Sequence, residues 1–288
     1  MSRSSADTAM VGRATAGVES APRRWLQRVW GLPYIHARQD WSVVWPTLAA
    51  LPRGGVRLLD AGCGRGRWSL ELAARRPGWR IVGLDRDAGA LRIAESARRK
   101  LGLENLTFVR ADFADFRAPP AFDVVLSVCS AHYLAAAGGG DDLFQCFATA
   151  LRPAGRLVLY APRAADEAPW LPLLPRPVWH DIFTAPQLRA LCTANGFRVS
   201  RLEGELGRAG TIVKQIDLLA SGRWRRAALA AGLYGVECAL AAWDRRGRDA
   251  HRRSGNATLM WLLLAQRRST SADRDVREPE PAALAESL

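Results

Sequence analysis

From Val56 onward the chain divides into short apolar runs separated by amphipathic stretches, and this rhythm predicts its architecture. Val56-Arg57-Leu58-Leu59-Asp60 reads as a strand over 56–60 that passes through glycines into a helix over 66–76. Further strands are predicted over 80–84, 105–109, 122–128 and 155–160, with helices over 87–101 and 140–151. Short apolar strands alternating with helices imply parallel strands joined by right-handed crossovers. A helix is then expected from Thr184, an N-cap followed three residues later by Gln187, to a stop at Asn195-Gly196. Strands over 197–203 and 257–265 close the series.

Around this core the pattern changes. Residues 1–21 are Ser/Ala/Gly-rich without periodicity and are expected to be disordered, as is the tail 269–288 with its mixed charges and Pro-Glu-Pro. Within 22–52, Trp25, Leu26, Val29, Trp30, Trp41, Val44, Trp45 and Leu48 recur at three- and four-residue spacings, which predicts two helices broken around Pro33. A Pro/Trp-rich stretch over 162–181 reads as a lid loop. The residues over 207–254 carry their own helical pattern and are too many for a hairpin connection, so they form an insertion before the last strand. One domain over 22–268 is expected.

Composition adjusts this picture in three ways. A hydrophobic fraction of 49% over 288 residues suffices for one large core. The formal net charge of +13 suggests nucleic acid. Yet only Lys100 and Lys214 are lysines, and an arginine-dominated, Ala- and Gly-rich composition also follows from a GC-rich coding sequence. Nucleic acid is therefore not the expected partner, and anionic lipid or substrate would be attracted equally. Cys63, Cys129, Cys146, Cys192 and Cys238 are odd in number and lack Cys-x-x-Cys spacing, which argues against a disulfide framework and a zinc site. No metal is expected. The first two dozen residues hold no apolar signal core, so a cytoplasmic location is expected.

The chemistry concentrates in Asp60-Ala61-Gly62-Cys63-Gly64-Arg65-Gly66. Glycines at alternate positions let the backbone turn sharply and approach a ligand, and the helix that follows offers its amides to an anionic group. Two details set this loop apart from a dinucleotide site. The dinucleotide fingerprint needs a small residue where Arg67 stands. Asp60, just before the glycines, favours an ammonium-bearing ligand and repels a pyrophosphate. The next strand ends at Asp85, suited to a ribose diol, followed by Arg86. The third runs into Asp112-Phe113, an acid for an adenine amino group beside an aromatic that can stack on the ring.

With Leu151-Arg152-Pro153-Ala154-Gly155 before a strand and Phe183-Thr184 through Gly196-Phe197, this set resembles the class I S-adenosylmethionine methyltransferases over about 56–205 and 257–267. The resemblance implies an α/β, doubly wound, seven-stranded sheet, mostly parallel, with a terminal antiparallel hairpin. It implies S-adenosyl-L-methionine as cofactor, held by Asp60, Ala61, Gly62, Cys63, Gly64, Gly66, Asp85, Arg86, Asp112, Phe113 and Ser127. Asp60 would lie near the methionine portion, Asp85 on the ribose, and Asp112 with Phe113 on the adenine.

Methyl transfer from an activated sulfonium needs positioning more than covalent help. A base matters where the acceptor is a hydroxyl or a protonated amine. Ligands bind at the carboxyl ends of such strands, which makes His132, in Ser127-Val128-Cys129-Ser130-Ala131-His132-Tyr133, the candidate general base; packing over the cofactor is its alternative role. The segment lacks the Asn/Asp-Pro-Pro-Tyr/Phe box that holds a planar amino group, and Cys129 lacks the preceding proline of a cytosine-C5 nucleophile. Tyr34, His36, Tyr133, Trp170 and Trp179 are candidate acceptor contacts, and Trp41 with Trp45 reads as core packing against the sheet. The apolar run within 223–248, flanked by arginines, suits either a helical hairpin packed on the domain or a peripheral membrane contact. A small, apolar or lipid-like acceptor methylated on O or N is expected. An RNA methyltransferase and a non-catalytic cofactor-binding protein are the alternatives.

Overall fold

The computed structural model describes residues 35–113, 116, 120–132, 140–163, 183–205, 243 and 260–269. Expectations for 1–34, the lid loop, most of the insertion and the tail after Ser269 lie outside these residues, as do the side chains of Tyr34, His36, Tyr133, Trp170 and Trp179.

The chain runs α1 (Ile35–Ala49), β1 (Gly54–Ala61), α2 (Arg67–Arg75), β2 (Gly78–Asp85), α3 (Ala88–Leu101), β3 (Leu106–Arg110) and β4 (Phe122–Val128). It continues through α4 (Gly140–Ala150), β5 (Leu151–Pro162), α5 (Ala185–Ala194), β6 (Phe197–Glu205) and β7 (Met260–Arg267). Local chemistry accounts for the helix ends. Asp87 caps α3 by accepting from the amides of Gly89 and Ala90, and Gly102 closes it in the left-handed conformation. Thr184 and Gln187 form the expected capping box on α5, each side chain bonding the other's backbone amide.

The seven strands form one sheet in the order β3-β2-β1-β4-β5-β7-β6. The first five are parallel, and β7 lies antiparallel between β5 and β6. This is the expected doubly wound sheet with its antiparallel hairpin. Strand order reverses between β1 and β4, and the carboxyl ends of these two strands frame a crevice.

Alternation divides the core in two. One face carries Leu58, Trp79, Ile81, Leu126 and Tyr160 under α1, α2 and α3. The other carries Leu59, Val125, Leu159 and Leu263 under Phe144 and Phe147 of α4 and Leu188 of α5. Fully buried Trp79 keeps its indole nitrogen bonded to the Pro52 carbonyl at 2.8 Å.

Two expectations are corrected. β5 begins at Leu151, not 155: the Leu151–Gly155 stretch pairs with β4 through a bulge at which Ala154 takes φ 62°. β7 spans 260–267 rather than 257–265, because its ends follow pairing with β5 and β6 rather than apolarity. Trp41 and Trp45 pack against the core cluster of this sheet face, as expected, with α2 as a direct partner. Trp41 stacks on Trp68 at 4.6 Å and on Trp45 at 5.0 Å, with the Arg75 guanidinium 5.0 Å from the Trp41 ring.

Candidate cofactor site at the switch point

β1 ends in Asp60 and Ala61, and the glycine loop leaves it across the carboxyl end of β2: the amides of Gly62 and Cys63 both donate to the Leu84 carbonyl, at 2.8 and 2.9 Å. Gly62, Gly64 and Gly66 all take positive φ, between 54° and 77°. A Cβ on Gly62 would stand 2.3 Å from the Ser130 Cβ, whereas one on Gly64 would meet nothing within 4 Å. The loop is thus closed on its sheet side and open at Gly64. α2 starts at Gly66, which supplies no capping side chain.

Asp85 secures the open side. Its carboxylate accepts from the Gly64 amide at 2.7 Å and from the Asp87 amide at 2.9 Å. Each carboxylate oxygen retains a second lone pair that can accept a ligand hydroxyl. Asp112 lies one strand over, 3.6 Å from the Arg86 guanidinium in an ion pair at the exposed rim. Phe113 turns inward instead: it is 8% exposed and meets Phe147 edge-on at 6.1 Å. Its ring belongs to the core beneath the rim rather than standing as a free platform.

From β4 comes a clasp that sequence reasoning missed. The hydroxyls of Ser127 and Ser130 lie 2.7 Å apart, and Ser130 donates to the Ala61 carbonyl at 2.7 Å. The turn that brings Ser130 back uses Cys129 at φ 54°, unusual for a side chain of that size, with its amide donating to the Tyr160 carbonyl at 2.8 Å. Two residues on, His132 is buried at 3% exposure. Phe108 also escaped notice: it fills the space beneath Gly66 and Gly83, so a Cβ at either would approach its ring to 2.6 Å. Isolated serines and a strand phenylalanine carry no pattern from which such roles can be read.

Asp60 is fully enclosed. Ser69 donates to it from its hydroxyl, at 2.5 Å, and from its backbone amide, so Asp60 fastens the first turn of α2 to the end of β1. Desolvation nonetheless outweighs these bonds and pushes its carboxyl up to about 7, with the nearby Asp85 charge adding to the rise. Burial likewise pushes the Cys63 thiol up, helped by Asp60 and Asp85, which leaves it unsuited to act as a nucleophile.

A carboxyl raised in the folded state binds more protons there than in the unfolded chain between about pH 4 and 7. Folding stability from this group is therefore greatest below pH 4 and falls as pH rises to about 7, by an amount on the order of a few kcal/mol. The melting temperature of the ligand-free protein should thus drop between pH 5 and 8 relative to Asp60→Asn. Parallel melting curves for the two proteins would exclude a raised Asp60.

Asp60, Asp85, Asp112, Ser127, Ser130 and His132 therefore gather at one edge of the sheet, across four neighbouring strands and their outgoing loops. Acceptors for hydroxyls, an open Gly64 and an enclosed acid fit a ligand bearing a ribose and an amino-acid portion.

Comparison with known proteins gives the same direction. Residues 52–211 match a family model described as a methyltransferase domain. Trans-aconitate 2-methyltransferase of Paracidovorax citrulli is 32% identical over 138 residues, covering 43% of this chain and 50% of the relative. Ribosomal RNA small subunit methyltransferase G of Yersinia enterocolitica is 34% identical over 119 residues, covering 41% and 55%. The chain spans about half the length of the curated relatives it matches. Among solved structures, phosphoethanolamine N-methyltransferase 2 of Haemonchus contortus, in complex with S-adenosylhomocysteine, aligns with a TM-score of 0.58 at 15% identity, covering 85% of this chain and 56% of that one.

Proposed function

Because this chain belongs to the methyltransferase-domain family, whose cofactor is S-adenosyl-L-methionine, we propose that it methylates an O or N atom of a small, apolar or lipid-like acceptor at the switch point. The observation that supports this most directly is the Ser130 clasp, which ties the glycine loop of β1 to the turn carrying His132. A cofactor cradled by the loop and a base on the turn are then held in one rigid frame.

In this reading Asp85 orients the ribose while holding Gly64, Asp112 and Arg86 border the adenine from the rim, and Asp60 balances the cationic methionine portion. The cofactor supplies a methyl group on a sulfonium that is already activated. What this chain adds is alignment and exclusion of water. His132 accepts the acceptor's proton where the nucleophile is a hydroxyl or an ammonium. Trp243, 70% exposed within the apolar 223–248 run, supports a greasy acceptor or a peripheral membrane contact. No helix among the described residues is long and apolar enough to cross a membrane.

Incubating the protein with methyl-labelled cofactor and a cell extract tests the acceptor class: label should enter the organic-soluble fraction. The formal charge of +13 and the likeness to a ribosomal RNA methyltransferase favour a second reading, RNA. Label in the RNA fraction, with binding to bulk RNA that falls steeply as salt rises, would establish that reading instead. Once an acceptor is in hand, His132→Ala is expected to lower kcat by roughly 100- to 10,000-fold with S-adenosylhomocysteine affinity unchanged. Intact turnover would remove His132 from the chemistry.

A further inference from the structure

Among the described residues, helices cover the two faces of the sheet unequally. α1, α2 and α3 blanket one face across β1, β2 and β3, whereas on the other face α4 and α5 contact β4, β5 and β6. There, no described helix packs on β2 and β3, and the sheet lies open along a groove of about 810 Å³. Register fixes the chemistry of this groove. Arg57 pairs with Arg80, and one rung further along Val82 pairs with Thr107, then Leu84 with Val109. The groove is cationic on balance: Arg57, Arg80 and Arg110 line it against Glu104, with Val82 and Val109 between them. Like charges on neighbouring strands repel, and Arg80 and Thr107 are exposed.

We propose that the chain's own C-terminal segment, residues 270–288, docks in this groove. It carries Asp273, Asp275, Glu278, Glu280 and Glu286 against two arginines, and its last eight residues include Leu284 and Leu288 among alanines. Four of its five acids, Asp273 to Glu280, precede Leu284, so its acidic part is the first to reach the arginines of the groove. Other segments fit less well. Residues 1–34 hold five arginines against two acids, and 206–259 hold ten basic residues against four acids. Residues 164–182 are acidic on balance but leave the sheet at the opposite edge, after Pro162. β7 runs antiparallel to β5, so Arg267 ends it at the edge of the sheet where β1 and β2 begin, the edge that also carries the arginine pair. Four strand spacings separate β7 from β2, about 19 Å at ~4.8 Å each, which roughly six to eight extended residues cover. Asp273 to Glu280 fall at that reach.

Photocrosslinking in the full chain tests the docking, with p-benzoylphenylalanine in place of Thr107 and crosslinked peptides identified by mass spectrometry. The expected result is intramolecular crosslinks to residues 273–288. These should fall at least about tenfold at roughly 1 M salt, and equally in a variant combining Asp273→Asn, Asp275→Asn, Glu278→Gln and Glu280→Gln, changes that leave the sheet untouched. Crosslinks to a second copy, to another segment or to nothing would overturn the proposal. So would tail crosslinks that persist undiminished after the acids are neutralised.

Discussion

Asp85→Ala is expected to weaken S-adenosylhomocysteine binding, measured by calorimetry, by about 30- to 1,000-fold, equivalent to about 2–4 kcal/mol. The size follows from two losses that act together. The ribose would lose a charged acceptor, and charge-assisted hydrogen bonds are the stronger kind. The Gly64 and Asp87 amides, held by this carboxylate at 2.7 and 2.9 Å, would lose their partner, so the loop that shapes the site would loosen as well. Asp85→Asn separates the two effects. Its remaining carbonyl oxygen can hold one amide while its NH2 opposes the other, and an intermediate affinity is expected. Undiminished binding by Asp85→Ala would dismiss both the ribose role and the tether.

The second large effect concerns Gly62. Gly62→Ala places a Cβ 2.3 Å from the Ser130 Cβ and 2.7 Å from its hydroxyl, at a φ of 77°. The left-handed backbone costs about 1–2 kcal/mol and the overlap about 1–3 kcal/mol more. Together these should lower the melting temperature by roughly 10 °C, and cofactor affinity should fall with the displaced clasp. Gly64→Ala is the informative contrast. It shares the positive φ but meets nothing within 4 Å, so its stability loss should stay near the backbone cost alone while binding still suffers on the open side. Equal melting temperatures for the two variants would contradict the tight fit of Gly62 against Ser130. Partial recovery of Gly62→Ala by Ser130→Gly would locate the clash directly.

Much of this frame was legible from local pattern. β4 falls where its apolar run predicts, 122–128. The helix after Thr184 was found through a capping box whose two hydrogen bonds are both formed. Prediction failed where tertiary pairing outweighs local signal. Pro153 and Gly155 read as a loop, yet the bulge at Ala154 lets β5 start at Leu151. The apolar run before Ala265 contains no alternation from which to place the ends of β7. In the site, charged residues at strand ends announced themselves, and Asp60, Asp85 and Asp112 do share one edge. Ser69, Phe108 and Ser130 did not. Their importance arises from positions 9, 25 and 69 residues away from their partners, a relation that only the folded chain creates.

The placement of β7 also bears on how the chain acquires its structure during synthesis. β6 precedes β7 by more than fifty residues yet, among the described residues, pairs only with it, and β5 offers β7 its outer edge. Until Met260–Arg267 leaves the ribosome, β6 has no strand to join, and Leu157, Leu159 and Ala161 stand along an unpaired border. Such borders recruit other chains. The nascent protein must therefore wait for the last strand of its sheet before that sheet is sealed, and a stall or cleavage just upstream of Met260 should yield an aggregating product rather than a smaller working enzyme.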